Sequence, residues 1–118
     1  MTDEKTIKIR ELNDLARKQT MLPIFGAHVP CKVLYTAGIQ ALGAFALVEI
    51  AAMVRDYDTF TEDNDPYGEG DFGSFSFNDD EIFWKIDYYD LDLKYGSENP
   101  ADINQTMRVL TIMLSSEY

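Results

Sequence analysis

Residues 72–89, FGSFSFNDDEIFWKIDYY, decide the fold, because apolar and polar side chains alternate on both sides of the turn-forming Asn78-Asp79-Asp80. Alternation with a period of two is typical of a strand that buries one face. The buried face of the second strand is predicted to carry Ile82, Trp84, Ile86 and Tyr88. The segment therefore predicts a β-hairpin.

The N-terminal half predicts a helix, a strand and a second helix. Across residues 3–20 the apolar positions fall near one helical stripe. Residues 31–36 are rich in β-forming side chains and lie between Pro30 and Gly38, which predicts a strand. Apolar residues then recur at helical spacing across 39–57, so a central helix is expected there.

The C-terminal part predicts a third helix, near residues 100–117. Asn99-Pro100 has the layout of a helix start, with a capping side chain before a proline in the first turn. An apolar stripe at helical spacing follows, made of Ile103, Met107, Leu110, Leu114 and Tyr118. Alternation over residues 91–95 makes a short third strand a further expectation.

This order of elements predicts an α+β protein. A hairpin favours an antiparallel sheet, and the placement of the helices favours packing on one face of it. We expect a single two-layer domain over 1–118, in which a small antiparallel sheet, the hairpin 72–89 plus the strand 31–36, packs against the helices. A chain of 118 residues with 46% hydrophobic content is long enough for one compact core.

The net charge of -11 is concentrated in the second half of the chain. Residues 1–55 carry seven Lys or Arg and five Asp or Glu, whereas residues 56–118 carry three and sixteen. This excess repels phosphate, so direct nucleic-acid binding is disfavoured and a basic protein surface is the expected partner. The alternative is that surplus carboxylates only keep the protein in solution.

Cysteine content and hydropathy indicate the compartment. Cys31 is the only cysteine, so no intramolecular disulfide can form. The N-terminus lacks an apolar signal core, and the longest uncharged run, Val33 to Val48, has sixteen residues, too few to span a bilayer. We expect a cytoplasmic protein with no membrane partner.

Five carboxylates and three glycines crowd into residues 61–77, TEDNDPYGEGDFGSFSF. Like charges on a turning backbone indicate a bound cation, a basic partner or a demanding turn. Read as a calcium loop, the segment has Gly68 at the sharp-turn position, but Ser74 stands where a bidentate Glu is expected. The carboxylates at ligand positions are Asp63, Asp65, Glu69 and Asp71. We expect no cofactor, with Ca²⁺ or Mg²⁺ at these four residues as the alternative.

Two constellations bear on catalysis. The loop carboxylates and Asp87 could converge into a metal-dependent hydrolase site, and His28 lies three residues before Cys31. The sequence contains no phosphate-binding loop, serine nucleophile elbow or zinc-ligand spacing, and the His–Cys pair lacks an orienting third group. We expect no enzymatic activity, with a metal-dependent enzyme as the alternative.

Aromatic and acidic side chains interleave towards the end of the hairpin. Tyrosine rings and carboxylates together anchor arginine-rich surfaces, because a guanidinium group stacks on a ring while it donates to carboxylates. Trp84 and Tyr88 are expected in the core. The predicted interaction surface consists of Asp63, Asp65, Glu69, Asp71, Asp87, Tyr89, Asp90 and Asp92.

Four long motifs extend over most of the chain. They are RELNDLARK at 10–18, FTEDNDPYGEGDFGSF at 60–75, IFWKIDYYD at 82–90 and NPADINQTMRVLTIMLSSEY at 99–118. Together these motifs resemble an uncharacterised bacterial family, mainly alphaproteobacterial and often plasmid-borne, classed as a domain of unknown function. The resemblance implies a link to mobile elements and supplies no catalytic residues. The chain departs from the family pattern at Gly70, where that pattern has a histidine, and at Asn78-Asp79-Asp80, where it has an Asn-Gly turn.

The sequence therefore predicts a small acidic, non-enzymatic interaction protein. Nucleic-acid-handling proteins offer basic surfaces, so the expected form is an inhibitor or DNA-mimicking decoy of a restriction, CRISPR or nuclease component. A divalent-metal protein that uses residues 63–71 is one alternative, and a structural accessory protein is another. The sequence leaves the oligomeric state open.

Overall fold

The computed structural model describes residues 3–19 and 28–118, which fold as an α+β protein, as predicted. The elements are α1 Glu4–Lys18, β1 Cys31–Tyr35, α2 Ala37–Gln40, α3 Ala44–Arg55, β2 Phe72–Phe77, β3 Asp80–Tyr89 and β4 Met107–Leu114, followed by a 3-10 turn at Ser115–Glu117. Within the two described ranges, no helix combines the length and apolar character needed to cross a bilayer.

The four strands form one sheet in the order β1-β4-β3-β2. The predicted hairpin is confirmed: β2 and β3 pair antiparallel, with Phe77 opposite Asp80 across the turn. Asn78 has φ 53°, a left-handed conformation that a short polar side chain tolerates. β4 pairs antiparallel with β3 and parallel with β1, so the sheet is mixed where a purely antiparallel one is expected.

The C-terminal segment is a strand where the sequence predicts a helix over 100–117. Residues Met107–Leu114 form β4, which has a neighbour on each side. A strand in this position is apolar on both faces, and its near-continuous apolar run imitates the spacing of an amphipathic helix. The β-branched Val109, Thr111 and Ile112 favour the strand. The helix prediction is wrong because pairing across the sheet decides the conformation here.

Two further predictions are wrong because the chain turns where a continuous helix or a strand is expected. The helix expected over 39–57 is divided into α2 and α3 at Gly43, whose φ of 99° favours glycine. Residues 91–95 form turns and bends instead of a third strand, and an isolated bridge joins Tyr89 to Gly96. The alternation at 91–95 therefore belongs to an exposed loop.

The predicted first helix and first strand are present. Asp3 caps α1, because its carboxylate accepts a hydrogen bond from the Thr6 amide at 2.8 Å. The buried stripe of α1 includes Ile9, Leu12 and Ala16, as the apolar spacing indicates. The predicted strand at 31–36 corresponds to β1.

The helices pack on one face of the sheet, where the main core lies. Its buried members are Ile39, Ile50, Val54, Ile82, Trp84, Ile86, Leu110 and Ile112. Burial of an aliphatic side chain of this size stabilises the fold by about 1.5–3 kcal/mol. Gly73 of β2 pairs with Trp84 of β3. A Cβ atom at Gly73 would overlap the indole nitrogen, which explains why a glycine occupies this position.

The other face of the sheet keeps aromatic and charged groups partly exposed. Phe72, Phe83 and Tyr118 meet edge to face, with ring centroids 5.3–6.1 Å apart. Asp87 lies on this face and forms an ion pair with Lys85 at 2.9 Å. Asp87 is therefore separated from the core by the sheet itself.

A pair of alanine substitutions distinguishes the strand from the helix at the C-terminus. Ile112 is fully buried in β4, whereas Met107, which the helical stripe would bury, is only half-buried. We expect Ile112→Ala to lower the free energy of unfolding by about 2–4 kcal/mol and Met107→Ala to lower it clearly less. Urea denaturation measures both, and the reverse ranking would contradict the strand assignment.

Candidate interaction surface

The acidic loop, residues 61–71, is attached to α1 through Asp65. Both carboxylate oxygens of this buried residue accept the Gly70 amide at 3.1 Å. Arg10 of α1 forms a longer ion pair with Asp65, at 3.4 Å, and stacks over Phe60 at 4.7 Å. Asp65 is thus a turn-forming residue of the folded loop.

Two glycines give the acidic loop its shape. Gly68 and Gly70 have φ of 73° and 63°, in the left-handed region that favours glycine. The sharp turn that the calcium-loop reading assigns to Gly68 is present. At Gly70, the position where the family pattern has a histidine, a side chain would meet Arg10 and Phe60 at about 3.5 Å.

A buried polar network joins the acidic loop, α1 and the sheet. Asn13 Nδ2 donates to the Glu69 carbonyl at 3.0 Å and to the Tyr88 hydroxyl at 2.8 Å. Tyr88 in turn donates to the Glu69 carboxylate at 2.8 Å, and burial raises the pKa of its hydroxyl. Arg108 Nε donates to Asn13 Oδ1 at 2.6 Å, and Arg108 Nη2 donates to the Pro100 carbonyl at 2.7 Å. The Asn13 side chain of α1 is therefore hydrogen-bonded to the acidic loop, to β3 and to β4.

Arg17 holds α1 against the end of α3. Its Nη1 donates to the carbonyls of Val54 and Tyr57, both at 2.9 Å, and its Nη2 pairs with Asp14 at 2.6 Å. The guanidinium lies 4.9 Å from the Trp84 ring. A cation at a helix C-terminus meets the negative end of the helix dipole. Two arginines of α1, Arg10 and Arg17, therefore stabilise the protein's own fold.

The loop carboxylates are spread over different parts of the acidic loop. Among residues 3–19 and 28–118, no three His, Cys, Asp or Glu side chains lie close enough together to hold an ion. Asp63 is exposed on the loop, whereas Asp65 and Glu69 are engaged by Gly70 and Tyr88. The alternative of Ca²⁺ or Mg²⁺ binding gains no support from this arrangement.

Asp71 is the carboxylate whose environment is most perturbed. Burial and the nearby Glu69 carboxylate raise its pKa from 3.8 to about 6, with smaller contributions from Asp65 and Asp87. Its backbone carbonyl accepts the Ile86 amide at 2.8 Å, which fixes it beside β3. The folded state therefore favours the protonated form of Asp71 more than the unfolded chain does.

The environment of Cys31 disfavours a nucleophilic role for its thiol. His28 is exposed, and Cys31 is a half-buried residue of β1 whose thiol contacts the Lys32 carbonyl at 3.6 Å. Burial raises the pKa of the Cys31 thiol, which disfavours the reactive thiolate.

The remaining predicted surface residues lie at the far end of β3. Tyr89 is exposed at the end of the strand, and Asp92 is exposed in the loop that follows. Asp90 is half-buried and accepts the Lys94 amide at 2.9 Å. The predicted surface is therefore divided between the acidic loop, the open sheet face at Asp87 and this end of β3.

Residues 90–98, called here the 90–98 loop, expose large apolar side chains beside these acids. Leu91 is 51% exposed, Leu93 37% and Tyr95 75%. Leu93 also has φ 60°, a conformation that costs a non-glycine residue about 1 kcal/mol or more. Such strain persists only where the surroundings impose it, and it is common at binding loops.

Hydrogen bonds hold the 90–98 loop in place. The Asp90 amide donates to the Tyr95 carbonyl at 2.8 Å, and the Ser97 amide donates to the Tyr88 carbonyl at 3.1 Å. The fully buried Thr106 hydroxyl lies 2.7 Å from Ser97 Oγ. The exposed apolar groups are thus presented by a fixed backbone.

Sequence reasoning did not place Leu91, Tyr95 and Glu98 at this surface. The alternation of residues 91–95 predicts a strand with one buried face. In the structure the apolar residues of this segment are exposed to solvent instead. The signal that could have found them is the number of acids in that segment, since a buried strand rarely tolerates Asp90 and Asp92 together.

Loss of the Asn13 amide should be costly. Asn13→Ala leaves the buried Arg108 and Tyr88 without their shared partner, so the free energy of unfolding is expected to fall by about 3 kcal/mol. Glu11→Ala, on the exposed face of the same helix, should change it by less than about 0.5 kcal/mol. Equal effects of the two variants in urea denaturation would contradict a structural role for the network.

Neutralising Asp71 should stabilise the protein above pH 6. The raised pKa means that the folded state favours the protonated carboxyl, so its stabilising effect is complete below pH 3.8 and is lost as the pH rises through about 6. We expect Asp71→Asn to add about 1 kcal/mol at pH 8, allowing for partial solvent screening, and nothing at pH 3. Thermal denaturation at both pH values tests this, with Asp63→Asn as the control for loss of one exposed charge; a gain at both pH values would refute it.

Comparison with known proteins identifies a family. No curated protein and no solved structure matches the chain. The family match spans residues 35–117 and includes the acidic loop, the hairpin, β4 and the 90–98 loop. The predicted resemblance to a domain of unknown function is thereby confirmed. Because the match extends over more than half of the 118 residues, the chain belongs to the family described as Protein of unknown function (DUF3768).

Proposed function

We propose that this protein is a small acidic interaction protein that binds a basic protein surface through the 90–98 loop and the adjoining end of β3. The observation that carries the proposal is the exposure of Leu91 and Tyr95 beside Asp92 and Glu98 on a fixed loop. Apolar and aromatic groups at the centre of an interface supply affinity, and surrounding charges supply orientation and speed of association.

The charge balance supports a basic partner. All 21 carboxylates and all ten Lys and Arg lie within the described residues, where the four ion pairs engage only four of the carboxylates. Arg10, Arg17, Arg55 and Lys85 form those pairs, so six Lys and Arg remain against seventeen carboxylates. A positively charged surface is attracted to such a field, and nucleic acid is repelled.

The partner class we infer is a nucleic-acid-handling protein. Its phosphate-binding surface carries the Lys and Arg side chains that complement clustered carboxylates, so this protein would act as an inhibitor or decoy that competes with nucleic acid. The bacterial and plasmid-borne setting implied by the sequence resemblance fits such a role on mobile elements.

A pull-down with matched charge variants tests this function. The loop variant Asp92→Asn with Glu98→Gln and the control Asp79→Asn with Glu81→Gln each remove two exposed acids, from opposite ends of β3. We expect bacterial lysate to yield a basic nucleic-acid-binding protein that is retained at about 0.05 M salt and released at about 0.5 M. The loop variant should bind it roughly tenfold more weakly, and the control should bind normally.

Three results would contradict the proposal. They are the absence of any basic partner, a complex that is indifferent to salt, and equal losses in the two variants. The last result would indicate general attraction to the whole acidic half without a defined binding surface.

A further inference from the structure

Beside the 90–98 loop lies a cavity of about 430 Å³, within the size range of small-ligand sites. The side chains of its lining that matter to the argument are Asp90, Leu91, Tyr95, Glu98, Asn104 and Gln105. Within the described chain this lining includes two carboxylates and no Lys or Arg. Lys94 belongs to the same loop but does not line the cavity.

The cavity is rich in hydrogen-bond acceptors. Asp90 uses one carboxylate oxygen for the Lys94 amide, and the Glu98 carboxylate accepts no hydrogen bond from the described residues. Gln105 Nε2 donates to Asp102, which directs the amide nitrogen elsewhere and leaves the Gln105 carbonyl oxygen without a described donor. A ligand that fits this set must donate several hydrogen bonds and carry positive charge.

The walls of the cavity favour a flat cation. The Tyr95 ring is 75% exposed and can lie against a planar group, and Leu91 offers apolar contact to a methylene chain. A guanidinium group is planar, has five donors and no acceptor, and stacks on aromatic rings, whereas an ammonium group is a compact, strongly hydrated charge. We propose that this cavity holds an arginine side chain of the partner protein.

Hydrogen bonds hold the backbone on the side of the cavity that carries Asn104 and Gln105. Thr106 is fully buried and its hydroxyl donates to the Asn99 carbonyl at 3.0 Å, while Asp102 accepts the Asn104 amide at 2.9 Å. These contacts fix the segment that carries Asn104 and Gln105 opposite the 90–98 loop. A preformed site loses less conformational entropy on binding than a mobile one.

This inference rests on the proposed function, since it names the group by which the basic partner is held. It differs in what it requires. General attraction to an acidic surface depends on the number of charges, whereas the cavity must prefer arginine to lysine at equal charge and must lose that preference when Tyr95 is removed.

Binding of two short peptides of equal length and charge, one rich in arginine and one in lysine, tests the cavity. We expect the arginine peptide to bind about tenfold more tightly in calorimetry. Tyr95→Ala and Glu98→Gln should each weaken that peptide several-fold and leave the lysine peptide nearly unchanged. Two matched controls should behave as wild type: Tyr67→Ala, which removes a tyrosine that is 81% exposed on the acidic loop, and Glu81→Gln.

Side-chain amide resonances give an independent readout in the unmodified protein. The NH₂ signals of Asn104 and Gln105 should shift on addition of the arginine peptide and not with the lysine peptide. Equal binding of the two peptides, with no effect of Tyr95→Ala, would overturn the cavity and leave the acidic-surface function intact. Binding of neither peptide would overturn both.

Discussion

The structure depends on β4, the strand that pairs with neighbours on both edges. Among residues 3–19 and 28–118, β1 pairs only with β4, and the β2–β3 hairpin joins the rest of the sheet through β4 alone. A strand with two neighbours satisfies its backbone donors and acceptors on both sides, and an isolated hairpin is marginal in water. Leu110 and Ile112 of β4 belong to the main core, and Arg108 of β4 is part of the polar network.

That polar network explains how an excess of carboxylates is compatible with a folded acidic loop. Arg10 compensates Asp65, and the Asn13 amide with the Tyr88 hydroxyl satisfies polar atoms of Glu69. Asp71 is left with a raised pKa, so part of the repulsion remains in the folded state. Two of the five carboxylates of the acidic loop, those of Asp65 and Glu69, are thus engaged by contacts within the fold and are poorly placed to bind a cation.

A separate set of exposed side chains lies in the 90–98 loop, which follows the end of β3. A loop with a strained Leu93, exposed Leu91 and Tyr95, and a cavity lined by acceptors has features that stability does not require. Its backbone is tied to Tyr88 and Thr106, so a partner would meet a formed surface. The same sheet therefore supports a closed polar network at its centre and exposed apolar and acidic side chains at its end.

The sequence predicts the hairpin, the first helix, the first strand and the α+β class correctly. In these segments the spacing of the apolar residues fits one type of secondary structure and no other. The sequence also identified Trp84 as a core residue and placed the hairpin turn at Asn78-Asp79-Asp80, of which Asn78 and Asp79 form the turn and Asp80 begins β3. That residues 107–114 form a strand follows from the tertiary structure alone, since a near-continuous apolar run has no distinguishing period in the sequence and takes its conformation from its neighbours. For the same reason the sequence could not separate the engaged carboxylates of Asp65 and Glu69 from the free one of Glu98. Whether a carboxylate is engaged depends on groups up to 55 positions away in the chain, such as Arg10 beside Asp65, that the packed fold brings into contact.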